Sequence, residues 1–195
     1  LIDDLADVDG DIMIVGVGGK MGPTVAGLAK AAAPHRRVIG VARFSEPGLK
    51  DALEARGIET IVCDLLDEAA VAALPKVDNI IFMAGRKFGA GGDLGLTWAM
   101  NVHVPGIVAQ AFRGSRIVAF STGCVYPFVP VDGRGADESV AADPPGEYAQ
   151  SCVGRERFFE YFSGKFGTPG RLFRLNYAID IRYGVLHDIA AKVLV

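Results

Sequence analysis

The chain has 195 residues, half of them hydrophobic, and a formal net charge of −3. That length suits one domain with a sizeable core, and a mildly acidic balance with no long run of Lys or Arg argues against nucleic acid as a partner. No apolar stretch approaches the roughly 20 residues that span a bilayer, and the N-terminus lacks a basic-then-apolar signal pattern, so a soluble protein without membrane association is expected.

The first apolar run, Asp11–Val15, reads as a strand and leads into Gly16-Val17-Gly18-Gly19-Lys20-Met21-Gly22, followed by helical spacing over Met21–Ala33. Glycines between a strand and a helix allow a tight turn and let backbone N–H groups approach a pyrophosphate at the helix N-terminus, so Gly16, Gly18, Gly19, Lys20, Met21 and Gly22 are candidate dinucleotide contacts. Lys20 is not a P-loop lysine, because the Walker spacing and the following Ser or Thr are missing. A second strand, Arg37–Ala42, ends at Arg43, where NAD-binding domains place an acidic residue for the ribose hydroxyls and NADP needs a cation. A planar guanidinium can pair with a 2′-phosphate and stack on adenine, so the cofactor reading leans to NADP; Glu46 lies close enough in sequence to keep NAD open.

Helix Leu49–Ala55, strand Glu59–Val62, helix Glu68–Leu74 and strand Asn79–Met83 follow, and the fourth strand runs into Ala84-Gly85 and Lys87. Helix Leu94–Phe112, strand Arg116–Ser121, helix Tyr148–Phe166, strand Arg171–Leu175 and a final helix Gly184 to Leu194 complete the chain. The strand runs lack alternation, which predicts six parallel strands buried on both faces. Alternating strands and helices need right-handed crossovers, so the expected fold is α/β, a doubly wound Rossmann sheet in three α/β/α layers. Pro127–Gly146 collects Pro, Gly and Asp and reads as a long loop. No internal repeat or low-complexity tract appears.

Cys63, Cys124 and Cys152 are widely spaced and odd in number, which suits reduced cytoplasmic thiols better than a disulfide framework. His35, His103 and His187 show no metal-ligand spacing, so no metal is expected. Trp98 reads as a packing residue, and Phe158, Phe159, Tyr161 and Phe162 as helix packing or an oligomer face.

Several segments together resemble the extended short-chain dehydrogenases/reductases, the superfamily of NAD-dependent epimerases and dehydratases. Gly16-x-x-Gly19-x-x-Gly22 resembles its fingerprint, Cys63-Asp64-Leu65 its Asp-hydrophobic pair, and Met83-Ala84-Gly85 its small-residue strand end. Ser121-Thr122-Gly123-Cys124-Val125-Tyr126-Pro127 resembles its Ser-Ser/Thr-x-x-Val-Tyr-Gly segment except at Pro127, and Glu138 with Pro144–Pro145 resembles the usual prelude to its catalytic helix. The resemblance implies that Asp64 binds the adenine amino group while Leu65 packs on the ring, and that Met83, Ala84 and Gly85 lie against the cofactor. It makes Thr122, with Ser121 as the adjacent alternative, the hydroxyl that holds the substrate oxygen, and Tyr148 the acid/base. Asn101 resembles the family's helix asparagine, and Asn176 in Arg174-Leu175-Asn176-Tyr177 its substrate contact, although the usual Gly-Pro is missing after it.

The departure lies at Tyr148-Ala149-Gln150-Ser151-Cys152, where Cys152 stands in place of the lysine of Tyr-x-x-x-Lys. Residues four apart share a helix face, and a neutral thiol can neither favour the phenolate nor anchor the ribose as an ammonium would. Three readings stay open: another cation (Lys87, Arg86 or Arg155) substitutes, the reaction needs a less activated tyrosine, or catalysis is lost. Lys87 is the first of these and a candidate substrate contact.

The expectation is an NAD(P)-dependent epimerase/dehydratase or oxidoreductase transferring hydride at a carbinol or carbonyl carbon, with nucleotide sugars as the implied substrates. Its rival is a non-catalytic dinucleotide-binding sensor or regulatory protein. Residues 1–195 read as the NAD(P)-binding domain of a longer protein truncated before a C-terminal substrate domain, since the chain lacks an initial Met and stops at Val195 inside a helical pattern. The resemblance also implies a homodimer through Leu94–Phe112 and Tyr148–Phe166.

Overall fold

The computed structural model of the protein describes residues 2–87, 92–176 and 184–193. Six strands form one parallel sheet: β1 (Ile12–Val15), β2 (Val38–Ala42), β3 (Glu59–Val62), β4 (Asn79–Phe82), β5 (Arg116–Thr122) and β6 (Gly170–Leu175). Their order is β3-β2-β1-β4-β5-β6. β1 is central, pairing Ile12 with Val38 on one side and with Asn79 on the other. The order therefore runs outward in both directions from the β1/β4 pair, and the carboxyl ends of those two strands flank the crevice where such sheets bind ligands.

The pleat of β1 explains the layering. Ile12 and Ile14 face one apolar cluster with Val17, Ala26, Ala29 and Leu53, built against α2 (Gly22–Ala32) and α3 (Leu49–Glu54). Met13 and Val15 face the other, with Phe82, Val104, Val108, Phe112, Phe159 and Phe162, built against α4 (Glu68–Ala72), α5 (Leu94–Trp98), α6 (Val104–Ala111) and α7 (Glu147–Phe166). Two helices start at aspartate caps and one ends at a glycine: Asp67 ahead of α4 accepts the Ala70 N–H at 3.0 Å, Asp93 ahead of α5 accepts the Leu96 N–H at 2.9 Å, and α7 ends at Gly167 with φ 69°.

Three features depart from the sequence expectation. Double-sided burial holds for β1 and β2, but β3 is half exposed and β5 alternates, with Val118 39% and Phe173 of β6 49% exposed. α2 and α3 cover their face of the sheet over β1–β3, and among the described residues nothing extends that cover to β5 and β6, where Phe120 and Phe173 pack edge-to-face instead. The expected helix Leu94–Phe112 is interrupted by a π turn, Ala99–His103, between α5 and α6. Pro105 has no N–H to donate back to Asn101, so the chain widens there rather than continuing the α ladder. A short α1 (Ile2–Ala6), with no buried residue, had no expectation attached. The last helix, α8 (Val185–Val193), is also exposed along its described length.

Candidate functional site

The glycine turn is held by close approach. Gly16 has φ 90°, and a Cβ there would lie 2.5 Å from the Ala84 nitrogen, so β1 can turn beside the end of β4 only with glycine at this position. A Cβ on Gly22 would lie 2.1 Å from the Val17 carbonyl oxygen, and one on Gly18 would meet Ala42 at 3.2 Å. The Gly19 N–H donates to Gly16 O at 3.2 Å and the Gly22 N–H to Gly19 O at 3.0 Å, closing the turn onto α2. Lys20 is exposed and Met21 half-buried at its rim.

Three clefts meet at the carboxyl ends of the strands. One of about 250 Å³ joins Gly16, Gly18, Met83, Ala84 and Gly85 to Arg43, Glu46, Asp64 and Leu65. Arg43 and Asp64 are exposed, Leu65 is buried, and one Asp64 oxygen already accepts the Leu66 N–H at 3.0 Å. A second cleft runs from the glycine turn, Lys20 and Met21 past Met83, Gly85, Arg86 and Lys87 to Ser121, Tyr148 and Arg155. The third, about 780 Å³, gathers Lys87, Thr122, Cys124, Tyr126, Tyr148 and Asn176, with Phe128 and Val129 of the long 127–146 loop at its mouth. Tyr148 and Lys87 line both the second and the third, so they stand where the glycine-turn cleft opens into the outer one. Gly123 lets the Asn176 side chain come close, since a Cβ there would lie 2.3 Å from Asn176 Oδ1.

The two candidate hydroxyls at the end of β5 separate. Ser121 is buried and donates to Glu156 Oε1 at 2.5 Å. Thr122 accepts the Cys124 N–H at 3.2 Å, which leaves its own hydrogen to donate into the outer cleft. Tyr148 and Cys152 share a face of α7, with the phenol in hydrogen-bonding reach of the sulfur. Burial pushes the Tyr148 phenol above its usual range, the Cys152 sulfur pushes it further, and the Arg155 guanidinium pulls the other way. Burial likewise pushes the fully buried Cys152 thiol up. At neutral pH both groups keep their protons.

Two charged residues that organise the site, Glu156 and Arg174, were not singled out as site residues by the sequence pattern. Glu156, 0% exposed, accepts Arg174 Nη2 at 2.7 Å and Nε at 3.0 Å, while Arg174 Nη1 donates to the Tyr126 hydroxyl at 2.9 Å and its guanidinium stacks 4.8 Å from that ring. The pair joins α7, β5, β6 and the wall of the outer cleft. Arg155 is buried one residue earlier, whereas Arg86 is half-buried and Lys87 exposed, so of the three cations named as substitutes Arg155 alone sits under the tyrosine's helix. Asn101, at the π turn, accepts the Arg86 N–H at 2.8 Å and donates to Ser151 Oγ at 2.9 Å. The signal that would have found Glu156 was available: Ser151, Cys152, Arg155, Glu156, Phe159 and Phe162 form one buried stripe of α7.

Sheet order and glycine turn together define a Rossmann-type α/β domain. The chain belongs to the NAD dependent epimerase/dehydratase family, whose model matches residues 12–178. Among solved structures it is similar to Thermus thermophilus UDP-glucose 4-epimerase in complex with NAD (19% identity, TM-score 0.75, covering 93% of this chain and 60% of that one). It is also similar to Bacillus cereus UDP-glucuronic acid 4-epimerase with UDP-glucuronic acid and NAD (19%, 0.69, 84% and 55%), and to Streptomyces venezuelae dTDP-glucose 4,6-dehydratase with NAD bound (22%, 0.75, 84% and 55%). The chain thus spans 55–60% of the length of these structures. No curated protein matches it by sequence. Among the described residues no helix is long and apolar enough to cross a membrane.

Replacing Glu156 with Ala leaves the partly buried Arg174 and the buried Ser121 hydroxyl without their acceptor. The expected loss is about 3–5 kcal/mol of unfolding free energy, read by denaturant titration. Breaking the exposed Arg157–Glu160 pair with Arg157→Ala leaves the midpoint unchanged.

Proposed function

We propose that the protein is an NAD(P)-dependent oxidoreductase of the epimerase/dehydratase type, acting at a carbinol or carbonyl carbon of a nucleotide-activated sugar. The observation that carries this reading is the position of Tyr148, at the junction of the glycine-turn cleft and an outer cleft that also holds Thr122 and Asn176. The residues fit a dinucleotide: a Cβ at Gly16 or Gly22 would strike backbone and one at Gly18 would crowd Ala42, so the turn keeps its tight path at the head of α2 only with glycines. When bound, the nicotinamide ring supplies or accepts the hydride. Gly16–Gly22 hold the pyrophosphate, Leu65 and Asp64 the adenine, and Arg43 the 2′-phosphate, which supports NADP over NAD. The solved relatives named above hold NAD, and Glu46 lies in the same cleft as Arg43 for the ribose of that cofactor.

Thr122 donates to the substrate oxygen and Asn176 and Lys87 hold the remainder of the substrate. Tyr148 gives its proton to the carbonyl oxygen as the carbon receives hydride, and takes it back in the oxidative direction. The alternative reading, a dinucleotide-binding sensor without turnover, draws on Cys152 in the lysine position.

Paired fluorescence titrations with NADPH and NADH test the cofactor reading. Binding of NADPH at lower concentration than NADH, with the preference lost in Arg43→Ala, is the expected outcome; equal affinities in both forms would reject the NADP assignment. Absence of binding by either would reject the function.

Because the phenol titrates above its usual range, it is protonated throughout the working pH range. Carbonyl reduction, which needs the phenol, is therefore expected to be flat through neutral pH, and alcohol oxidation, which needs the phenolate, to rise about tenfold per pH unit. Single-turnover rates with a panel of UDP-glucose, UDP-glucuronic acid and dTDP-glucose check this. Cys152→Lys is expected to raise the oxidation rate at pH 7 by about 10–100-fold; a wild type and a Lys variant both inert while binding dinucleotide would favour the sensor.

We also propose a homodimer through α5–α6 and α7, whose outer faces expose Trp98 (37%), Phe158 (37%) and Tyr161 (61%). Light scattering is expected to give twice the chain mass, falling to the monomer in Tyr161→Glu.

A further inference from the structure

Arg155 is a buried cation with an incomplete set of partners. Its Nη1 donates to the Phe120 carbonyl oxygen at 2.9 Å and its Nη2 to Asn101 Oδ1 at 2.8 Å, while Nε is buried with no acceptor among the described residues. No carboxylate among the described residues pairs with it, since Glu156, next along the helix, is occupied by Arg174 and Ser121. A buried charge without a counter-charge is expensive, yet the fold makes room for this one. Gly85 admits it, because a Cβ there would lie 2.2 Å from Nη2, and the Phe82 ring lies 5.7 Å from the guanidinium carbon. The neutral hydrogen bonds fix the guanidinium in place, and the Glu156 carboxylate that acts on it is shared with Arg174, so its charge is only partly compensated.

Its location says which anion would compensate it. Arg155 is seven residues, two turns, after Tyr148 on the same face of α7, and helical side chains lean towards the N-terminus, so the long arginine reaches back along the face that carries Cys152 and Tyr148. Both residues line the cleft that runs from the glycine turn. We propose that Arg155 is the fixed cation of the proton-transfer site, a positioning residue that stabilises the phenolate formed when the Tyr148 proton passes to a substrate carbonyl oxygen. The inference rests on the oxidoreductase reading above. In that step the Tyr148 O–H bond breaks, an O–H bond forms on the substrate, and the carbon takes hydride from the reduced dinucleotide. The residual negative charge on the phenol oxygen then faces a guanidinium at i+7 instead of an ammonium at i+4.

The other charged or titratable groups around the phenol are Cys152 on its own helix, Cys124 from the turn after β5, and Lys20, Arg86 and Lys87 along the shared cleft. The buried, protonated Cys152 brings no charge to the phenol, and Arg155 is a cation held there by one buried and one partly buried hydrogen bond.

The test places a ring-fluorinated tyrosine at position 148, acidic enough to ionise while the protein is folded, and follows its titration by fluorine NMR in the wild-type, Arg155→Gln and Arg155→Lys backgrounds. Arg155→Gln is expected to raise the ionisation by about one pH unit, a tenfold change in proton affinity. Arg155→Lys keeps the charge while losing the forked geometry, and is expected to stay close to wild type. Asn101→Asp sets a carboxylate against the guanidinium without emptying its site and is expected to move the titration as Gln does, so the test survives a Gln variant that fails to fold. Unmoved titrations in Arg155→Gln or Asn101→Asp, or equal shifts in the Gln and Lys variants, would overturn the proposal. NADPH binding measured on the same samples separates the two ideas: no binding anywhere removes the oxidoreductase reading, while the titration still reports on Arg155.

Discussion

A parallel sheet that grows outward from two adjacent central strands cannot close its own carboxyl edge, because consecutive connections leave β1 and β4 in opposite directions. That constraint fixes where the site is. The turn after β1 must cross the mouth of the crevice with Gly16 against the backbone of Ala84, and the segments after β4 and β5 must line its floor. Apart from Asn101 on the π turn and those on α7, the candidate residues follow closely on a strand's carboxyl end. Packing on both faces of β1 then makes the crevice rigid, since Met13, Ile14 and Val15 are completely buried and have no room to shift.

α7 converts this scaffold into a chemical site by carrying charge on the stripe that a packing helix normally fills with apolar groups. Glu156 and Arg155 are adjacent on that stripe and are treated differently. Glu156 meets a cation from β6 and a hydroxyl from β5, a nearly complete set of partners that pins the two strands to the helix. Arg155 receives only a carbonyl and an amide oxygen. A satisfied ion pair contributes position, and an unsatisfied cation contributes potential. The π turn belongs to the same arrangement: widening the helix at Asn101 lets one side chain bridge the chain after β4, the start of α7 and the arginine.

Much of this was legible in the residues. Strand positions were read to within a residue or so because β-branched runs bounded by turn residues have few alternatives, and the glycine turn was read because its spacing sits between a strand and a helix. The unequal burial of the strands was not legible, since an apolar run looks the same whether or not a helix covers its second face: Val118 and Phe173 carry no mark of their exposure. The π turn depends on what Pro105 does to a hydrogen bond four residues back, which helical periodicity does not register. At the site, Tyr148 and Thr122 were visible through family spacing, whereas the separate duties of Ser121 and Thr122 depend on a partner 35 residues away. Arg155 was legible only as one of three cations able to stand in for the missing lysine, and Glu156 carries no mark beyond being a charge on a buried stripe of α7.

On the role proposed for Arg155, it and Cys152 form one arrangement. A lysine at 152 would bring its charge from the adjacent turn and could reach beyond the tyrosine to a ribose; a thiol there returns the space to packing and leaves the tyrosine neutral. Moving the positive charge one turn further along, onto a guanidinium tied to backbone and amide oxygens, keeps a favourable potential at the phenol while giving up the ribose contact. Because the guanidinium is held from two sides, its potential is present before any ligand arrives and needs no rearrangement to act. The tyrosine in such a site is a good proton donor first and a base second. Under the proposed function, a reaction that must first oxidise its substrate would feel that asymmetry in its first half, whereas one that begins from a carbonyl would not.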